Sequence, residues 1–125
     1  MFSHIFVGSN DLARSKVFYD ALFAATGGPE GIVDEAKGRV IYLHKGSVFI
    51  VATPIDGQPA TVANGSTIGF GMDNEAQVDA WHAAGVANGG TSIEDAPGLR
   101  ADSNLYLAYL RDPDGHKLCA LYRPA

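Results

Sequence analysis

The sequence predicts an α+β fold, in which two tandem β-α-β-β-β modules form mostly antiparallel sheets. Three observations predict it. First, the chain nearly repeats itself: His4-Ile-Phe-Val-Gly-Ser-Asn-Asp11 is echoed 63 positions on (4 to 67) by Thr67-Ile-Gly-Phe-Gly-Met-Asp-Asn74. The same offset carries Phe18 onto Trp81 and Ala21 onto Ala84, and Gly46-Ser-Val-Phe-Ile50 aligns with Gly115-His-Lys-Leu-Cys119 at an offset of 69 (46 to 115). One such unit cannot bury its own apolar face, so two copies must pack together. Second, each half opens on an alternating run, passes into an amphipathic stretch and then returns to short strand-like segments. Third, 125 residues with 46% hydrophobic and 18% charged content suit one folded domain with a sizeable core.

The elements follow in order. Residues 2–8 alternate apolar with small or polar side chains, as a half-buried strand does. Ser9 and Asn10 are capping residues for the next helix, with Asp11 in its first turn. Leu12, Ser15, Tyr19, Leu22 and Phe23 keep helical spacing until Gly27-Gly28 stops it. Strands fit 31–35, 39–44 and 47–53, joined by turns at Ala36-Lys-Gly38 and Lys45-Gly46. The first module thus covers about 1–54, a Pro- and Gly-bearing linker about 55–65, and the second module about 66–125. In the second module 67–72 is a strand, Asp73 or Asn74 caps a helix carrying Val78, Trp81 and Gly85, and Gly89-Gly90 ends it. Residues 91–94 form a short strand and 97–100 a loop. Segments 105–111 and 116–122 make a hairpin across Asp112-Pro-Asp-Gly115, which has the residues that chain reversal needs.

Charge and composition narrow the function. Lys+Arg 9 against Asp+Glu 14 leaves a net charge of −5 with no basic run, which disfavours nucleic acid and anionic membrane surfaces. It is compatible, weakly, with a cationic ligand. Cys119 is the lone cysteine, so no internal disulfide framework exists. The opening residues carry no secretory pattern and no apolar run reaches spanning length, so a cytoplasmic protein without membrane contact is expected.

The combination of His4-Ile-Phe-Val-Gly-Ser-Asn-Asp-Leu-Ala-Arg-Ser-Lys-Val-Phe-Tyr19, Ile68-Gly-Phe through Asp73, and Arg111-Asp-Pro-Asp-Gly115 resembles the vicinal oxygen chelate superfamily. That superfamily includes glyoxalase I-like, bleomycin-resistance-like and extradiol dioxygenase proteins, and the likeness covers essentially the full chain. It implies paired βαβββ modules whose sheets curl around an open cavity with helices outside, and often a homodimer. It also implies four metal-ligand places, which fall here on His4, Ile50, Thr67 and Cys119. Of these His4 alone is an ordinary ligand. Ile50 has no donor atom, Thr67 offers a neutral hydroxyl, and Cys119 could bind only as thiolate. No cofactor is therefore expected, with a divalent metal kept as the alternative.

Strand alternation puts His4, Phe6 and Gly8 on one face and Ile5 and Val7 on the other; Thr67, Gly69 and Gly71 likewise oppose Ile68, Phe70 and Met72. His4, Phe6, Ile50, Thr67, Gly69, Arg100 and Cys119 are the expected ligand-binding positions. Gly69 and Gly71 would leave room there, or mark bulges. Arg100 could grip a carboxylate or phosphate, or be a solvated arginine. Cys119 with His4 could form a thiolate–imidazolium pair, or be a small core hydrophobe. Tyr42, His44, Tyr106 and Tyr109 lie on strands whose facing the sequence leaves open. His82 and His116 read as solvated, Asp112 and Asp114 as turn structure. The apolar surplus at Phe18, Tyr19, Leu22 and Phe23 suits the core or a dimer patch. The expected function is small-molecule binding without a metal, in a cavity between the paired modules, with a homodimer as the expected assembly. The alternatives are a metal-dependent lyase, isomerase or dioxygenase recruiting ligands such as His44, and a metal-free enzyme with His4 as general base.

Overall fold

A computed structural model describes residues 1–125. The first strand, β1 (His4–Gly8), leads into α1 (Leu12–Ala24) and then into β2 (Ile32–Asp34), β3 (Arg39–His44) and β4 (Ser47–Ala52). The second half runs β5 (Ile68–Gly71), α2 (Glu75–Ala87), β6 (Thr91–Ser92), β7 (Gly98–Arg100), β8 (Leu105–Arg111) and β9 (Lys117–Tyr122). Sheet order is β1-β4-β3-β2 in one layer and β5-β9-β8-β6 in the other, with β7 also on β8. In each sheet the first strand runs parallel to the last and the remaining pairs are antiparallel. The duplicated α+β plan is thus present, with one difference. Residues 98–100, read as a loop, pair with 105–107 as a strand. β6 and β7 together form one interrupted edge beside β8, too short for either piece to show an alternation.

Local chemistry explains the elements. Asp11, rather than Ser9 or Asn10, caps α1 by accepting from the Arg14 N–H at 3.0 Å. Asn10 is spent elsewhere: its amide joins Ala60 of the linker in both directions, at 3.1 and 2.7 Å. Asn74 caps α2 by accepting from the Gln77 N–H, while the Gln77 side chain accepts the Asp73 N–H. Lys45 and Gly46, at φ 51° and 78°, turn β3 into β4 in the left-handed geometry that tight hairpins require.

One core serves both halves. Phe18, Tyr19 and Leu22 of α1 and Val78 and Trp81 of α2 are essentially sealed from solvent, against Val40, Tyr42 and Val51 of one sheet and Ala108, Leu110, Leu118 and Ala120 of the other. The apolar surplus of α1 is therefore core and leaves no dimer patch there. Each large side chain so buried contributes roughly 1.5–3 kcal/mol. Gly85 lets α2 lie close, since a Cβ there would collide with Leu110 Cδ1. The Asp112-Pro-Asp-Gly115 turn clasps the other half. Asp112 Oδ2 accepts from the Tyr19 hydroxyl at 2.6 Å, Asp114 accepts from the Asn10 N–H and the Arg14 guanidinium at 3.0 Å, and His116 Nε2 meets the Gly8 carbonyl at 2.7 Å. His116 is thus a half-buried joining residue, not a solvated one. No helix is long and apolar enough to cross a membrane.

Candidate functional site

Each sheet has one face against the helices and one face free of them. Register places His4, Phe6, Val48, Ile50, Ile41, Leu43 and Arg39 together on the free face of the first sheet. Ile5, Val7, Phe49, Val51 and Tyr42 occupy the opposite face, with the core. On the second sheet Gly69, Gly71, Cys119, Leu121, Tyr109 and Leu107 share the free face. The alternation expected for the two first strands therefore holds. Ile50 and Cys119 are buried, yet both stand outside the central core.

The edges of β1 and β5 are joined by no strand pairing, and a cleft of about 270 Å³ opens between them. His4, Gly69 and Gly71 border it, with Phe23, Phe49, Phe70 and Trp81 behind and His44 and Lys45 at one end. The volume lies near the lower end of small-molecule sites. A Cβ added at Gly69 or Gly71 would meet nothing within 4 Å, so these glycines are not relieving a backbone contact. His4 Nδ1 lies 2.7 Å from the Ser3 hydroxyl, and its ring meets Phe6 edge-on at 5.6 Å.

The other expected positions are distributed differently. Phe6 and Ile50 sit side by side on the first sheet. Thr67 borders a shallow depression with Arg111, Gly115 and Lys117, away from His4. Arg100 gives three hydrogen bonds to the carbonyls of Asp95, Ala96 and Gly98, so most of its donors brace its own loop. Cys119 lies beside Tyr109, over whose ring the Lys117 ammonium sits at 5.0 Å, itself paired with Glu94. Burial raises the Cys119 thiol above its ordinary value, against the lowering effects of Tyr109, Lys117 and Arg100. A protonated thiol is the wrong form for a nucleophile. Its hydrogen bond goes to the Ala120 carbonyl at 3.5 Å, and none joins it to His4.

Side chains left unplaced by sequence now have places. Tyr42 points to the core, donating to Asp20 at 2.8 Å; burial and that carboxylate raise its hydroxyl beyond the usual phenol range. His44 packs against Phe23, and Tyr106 donates to Asp79 of α2 at 2.8 Å. His82 is only partly exposed, bonded to Ser92 at 2.8 Å, and burial lowers it. Arg39 is not among the positions that the sequence singles out, and Tyr109, whose facing it leaves open, lies on the free face. Fixing the 45–46 turn and counting alternate positions back from it would have put Arg39 on the Phe6 face.

The donor set at the four places does not suit a divalent metal. One imidazole, one aliphatic side chain, one hydroxyl and one buried thiol do not fit a divalent ion. No three His, Cys, Asp or Glu side chains gather closely enough to hold one. No step is therefore routed through a metal.

Duplicated modules sharing one core, with glycine-lined free sheet faces, define a paired βαβββ protein. The chain belongs to the Glyoxalase/Bleomycin resistance protein/Dioxygenase superfamily, whose family model matches residues 1–120. Among solved structures, a glyoxalase/bleomycin resistance protein from Albidiferax ferrireducens is 55% identical, with TM-score 0.93 and 98% of each chain covered. A hypothetical protein from S. aureus shares the fold at 22% identity and TM-score 0.74, covering 97% of this chain and 91% of its own. A mutant fosfomycin resistance protein from Listeria monocytogenes, complexed with Mn(II) and dihydroxypropylphosphonic acid, does so at 20% identity and TM-score 0.73, covering 99% and 90%. No curated protein matches the chain.

Proposed function

We propose that the chain binds a small molecule at the β1–β5 cleft and the free sheet faces, without a metal at the family's ligand places. The cleft bordered by His4, Gly69 and Gly71 and backed by aromatic side chains, with open space over the two glycines on the free face beside it, is the observation that carries this reading. His4 would orient the ligand through its imidazole, and Phe6 and Ile50 would supply apolar surface. Thr67, Arg100 and Cys119 are the remaining polar positions of the proposed site. The donor chemistry supports the metal-free part: three of the four places hold side chains ill-suited to a divalent ion.

We further propose a cytoplasmic homodimer. Val33 of β2 and Leu99 of β7, at 51% and 54% exposure, stand on edge strands outside the ligand positions and offer apolar surface to a second copy.

Nile red, an uncharged apolar fluorophore, tests the cleft. It should bind saturably, and Gly71→Phe, with open space to receive the ring, should weaken that binding by about tenfold while leaving the melting temperature unchanged. Absence of saturable binding, or indifference to Gly71→Phe, overturns the reading. Elemental analysis of protein purified without chelators should find far less than one metal per chain; near-stoichiometric metal lost on His4→Ala would overturn the metal-free part. Light scattering should give twice the 13.1 kDa chain mass, and a monomer would remove the dimer.

A further inference from the structure

We propose that Arg39, on the Phe6 ledge, is the anchor for the negatively charged head of the ligand. The ligand is then an organic oxyanion, a carboxylate or phosphate carried on a flat apolar body. This inference rests on the small-molecule reading above and specifies its ligand class.

Arg39 opens β3 on the face that no helix covers. Its guanidinium carbon stands 5.3 Å from the centre of the Phe6 ring, whose edge contact to His4 lies on the same face. Arg39 Nε is the one buried side-chain nitrogen or oxygen in the chain that lacks a hydrogen-bond partner. The other arginines near the fold's joints are spent: Arg14 on Asp114, Arg100 on three carbonyls of its loop, Arg111 on the Gly115 carbonyl. Asp34 is the direct cross-strand neighbour of Arg39, yet its carboxylate accepts the Lys37 N–H at 3.2 Å, and no ion pair joins the two. A buried donor left unmatched is unfavourable, and an incoming acceptor relieves it. A guanidinium edge offers two parallel N–H groups whose spacing matches two oxygens of a carboxylate or phosphate.

The surroundings choose the rest of the ligand. Ile41, Leu43 and Val48 form an apolar floor beside the cation, and Phe6 lies under it. A simple inorganic anion would leave that floor wet, and a neutral apolar molecule would leave the guanidinium unmatched. A flat apolar body lying on that floor, with its oxyanion at the guanidinium that Phe6 supports, satisfies both. The chain's net charge of −5 opposes anions in general, so binding must be local to this cation and must weaken with salt.

Benzoate, phenyl phosphate and the uncharged isostere benzamide are titrated by calorimetry and by ¹H–¹⁵N spectra that include arginine Nε–H signals. Benzoate or phenyl phosphate should bind at least about tenfold more tightly than benzamide, shift the Arg39 Nε–H signal, and lose that preference in Arg39→Gln. Phe6→Leu should weaken benzoate while the protein remains folded. If Arg39→Gln does not fold, the wild-type contrast between benzoate and benzamide and the Arg39 signal decide the matter. Equal binding of benzoate and benzamide, or an unmoved Arg39 signal, overturns the anchor. Nile red binding that persists in that event leaves the small-molecule reading standing; loss of both sinks both.

Discussion

Replacing Asp112 by Ala removes the acceptor on which the two halves converge. The carboxylate is 4% exposed. Its Oδ1 accepts the N–H groups of Asp114, Gly115 and His116 at 3.0, 2.9 and 2.9 Å, and its Oδ2 accepts the Tyr19 hydroxyl at 2.6 Å. Tyr19 is fully buried, so in the variant its hydroxyl has neither acceptor nor water, at a cost of about 1–3 kcal/mol. The turn N–H groups are only part-buried and regain some water, adding about 1 kcal/mol, while removal of a buried charge returns part of its desolvation penalty. A net loss of about 3 kcal/mol results. With unfolding entropy of about 2.1 cal/mol/K per residue, a chain this long loses about 11 °C of melting temperature. Calorimetry or circular dichroism reads the shift directly. Asp112→Asn keeps one oxygen for the turn but cannot accept from Tyr19 with its amide nitrogen, so about half the loss is expected. A melting temperature for Asp112→Ala within about 3 °C of the parent, or an Asn variant as damaged as the Ala variant, would refute the reasoning.

Two further outcomes concern the first module and α2. Burial raises the Asp20 carboxyl, but the Lys16 ammonium at 2.6 Å, the Gly31 N–H and the Tyr42 hydroxyl outweigh it and hold the group below its ordinary 3.8. A depressed carboxyl stabilises fully above its ordinary value and loses that contribution as pH falls through the folded value. Urea midpoints should therefore fall more steeply below pH 4 in the parent than in Asp20→Asn; parallel curves would show that these contacts do not bias the titration. Gly85→Ala should cost about 1–3 kcal/mol, because Leu110 Cδ1 and Leu22 Cδ1 must both give way; an unchanged denaturant midpoint would show that α2 can lift off without cost.

The fold was largely legible because its signals are periodic and repeated. Five residues of alternation sufficed for β1, and the second copy corroborated the first at a constant offset. What escaped were features decided by contacts distant in sequence. Asn10 reads as a helix cap until Ala60 claims its amide. His116 reads as a solvated turn residue until the Gly8 carbonyl is placed against it. β7 has three residues, too few for a period, and exists because β8 has an open edge beside it. The candidate site was less legible for a related reason. Alternation sorts side chains to faces but does not say what their polar atoms meet, and that alone separates Arg100, which gives three hydrogen bonds to its own loop, from Arg39, whose buried Nε has no partner.

The clasp between the halves has a consequence for how the polypeptide is made. The phenol of Tyr19 is sealed among aromatic neighbours, and its acceptor lies 93 positions further on. A ribosome must therefore synthesise past residue 112 before the first helix can settle with all its partners. Nascent chains interrupted ahead of the final hairpin would carry that unmet hydroxyl exposed to quality-control proteases, so truncated products should be cleared rather than accumulate as half-domains.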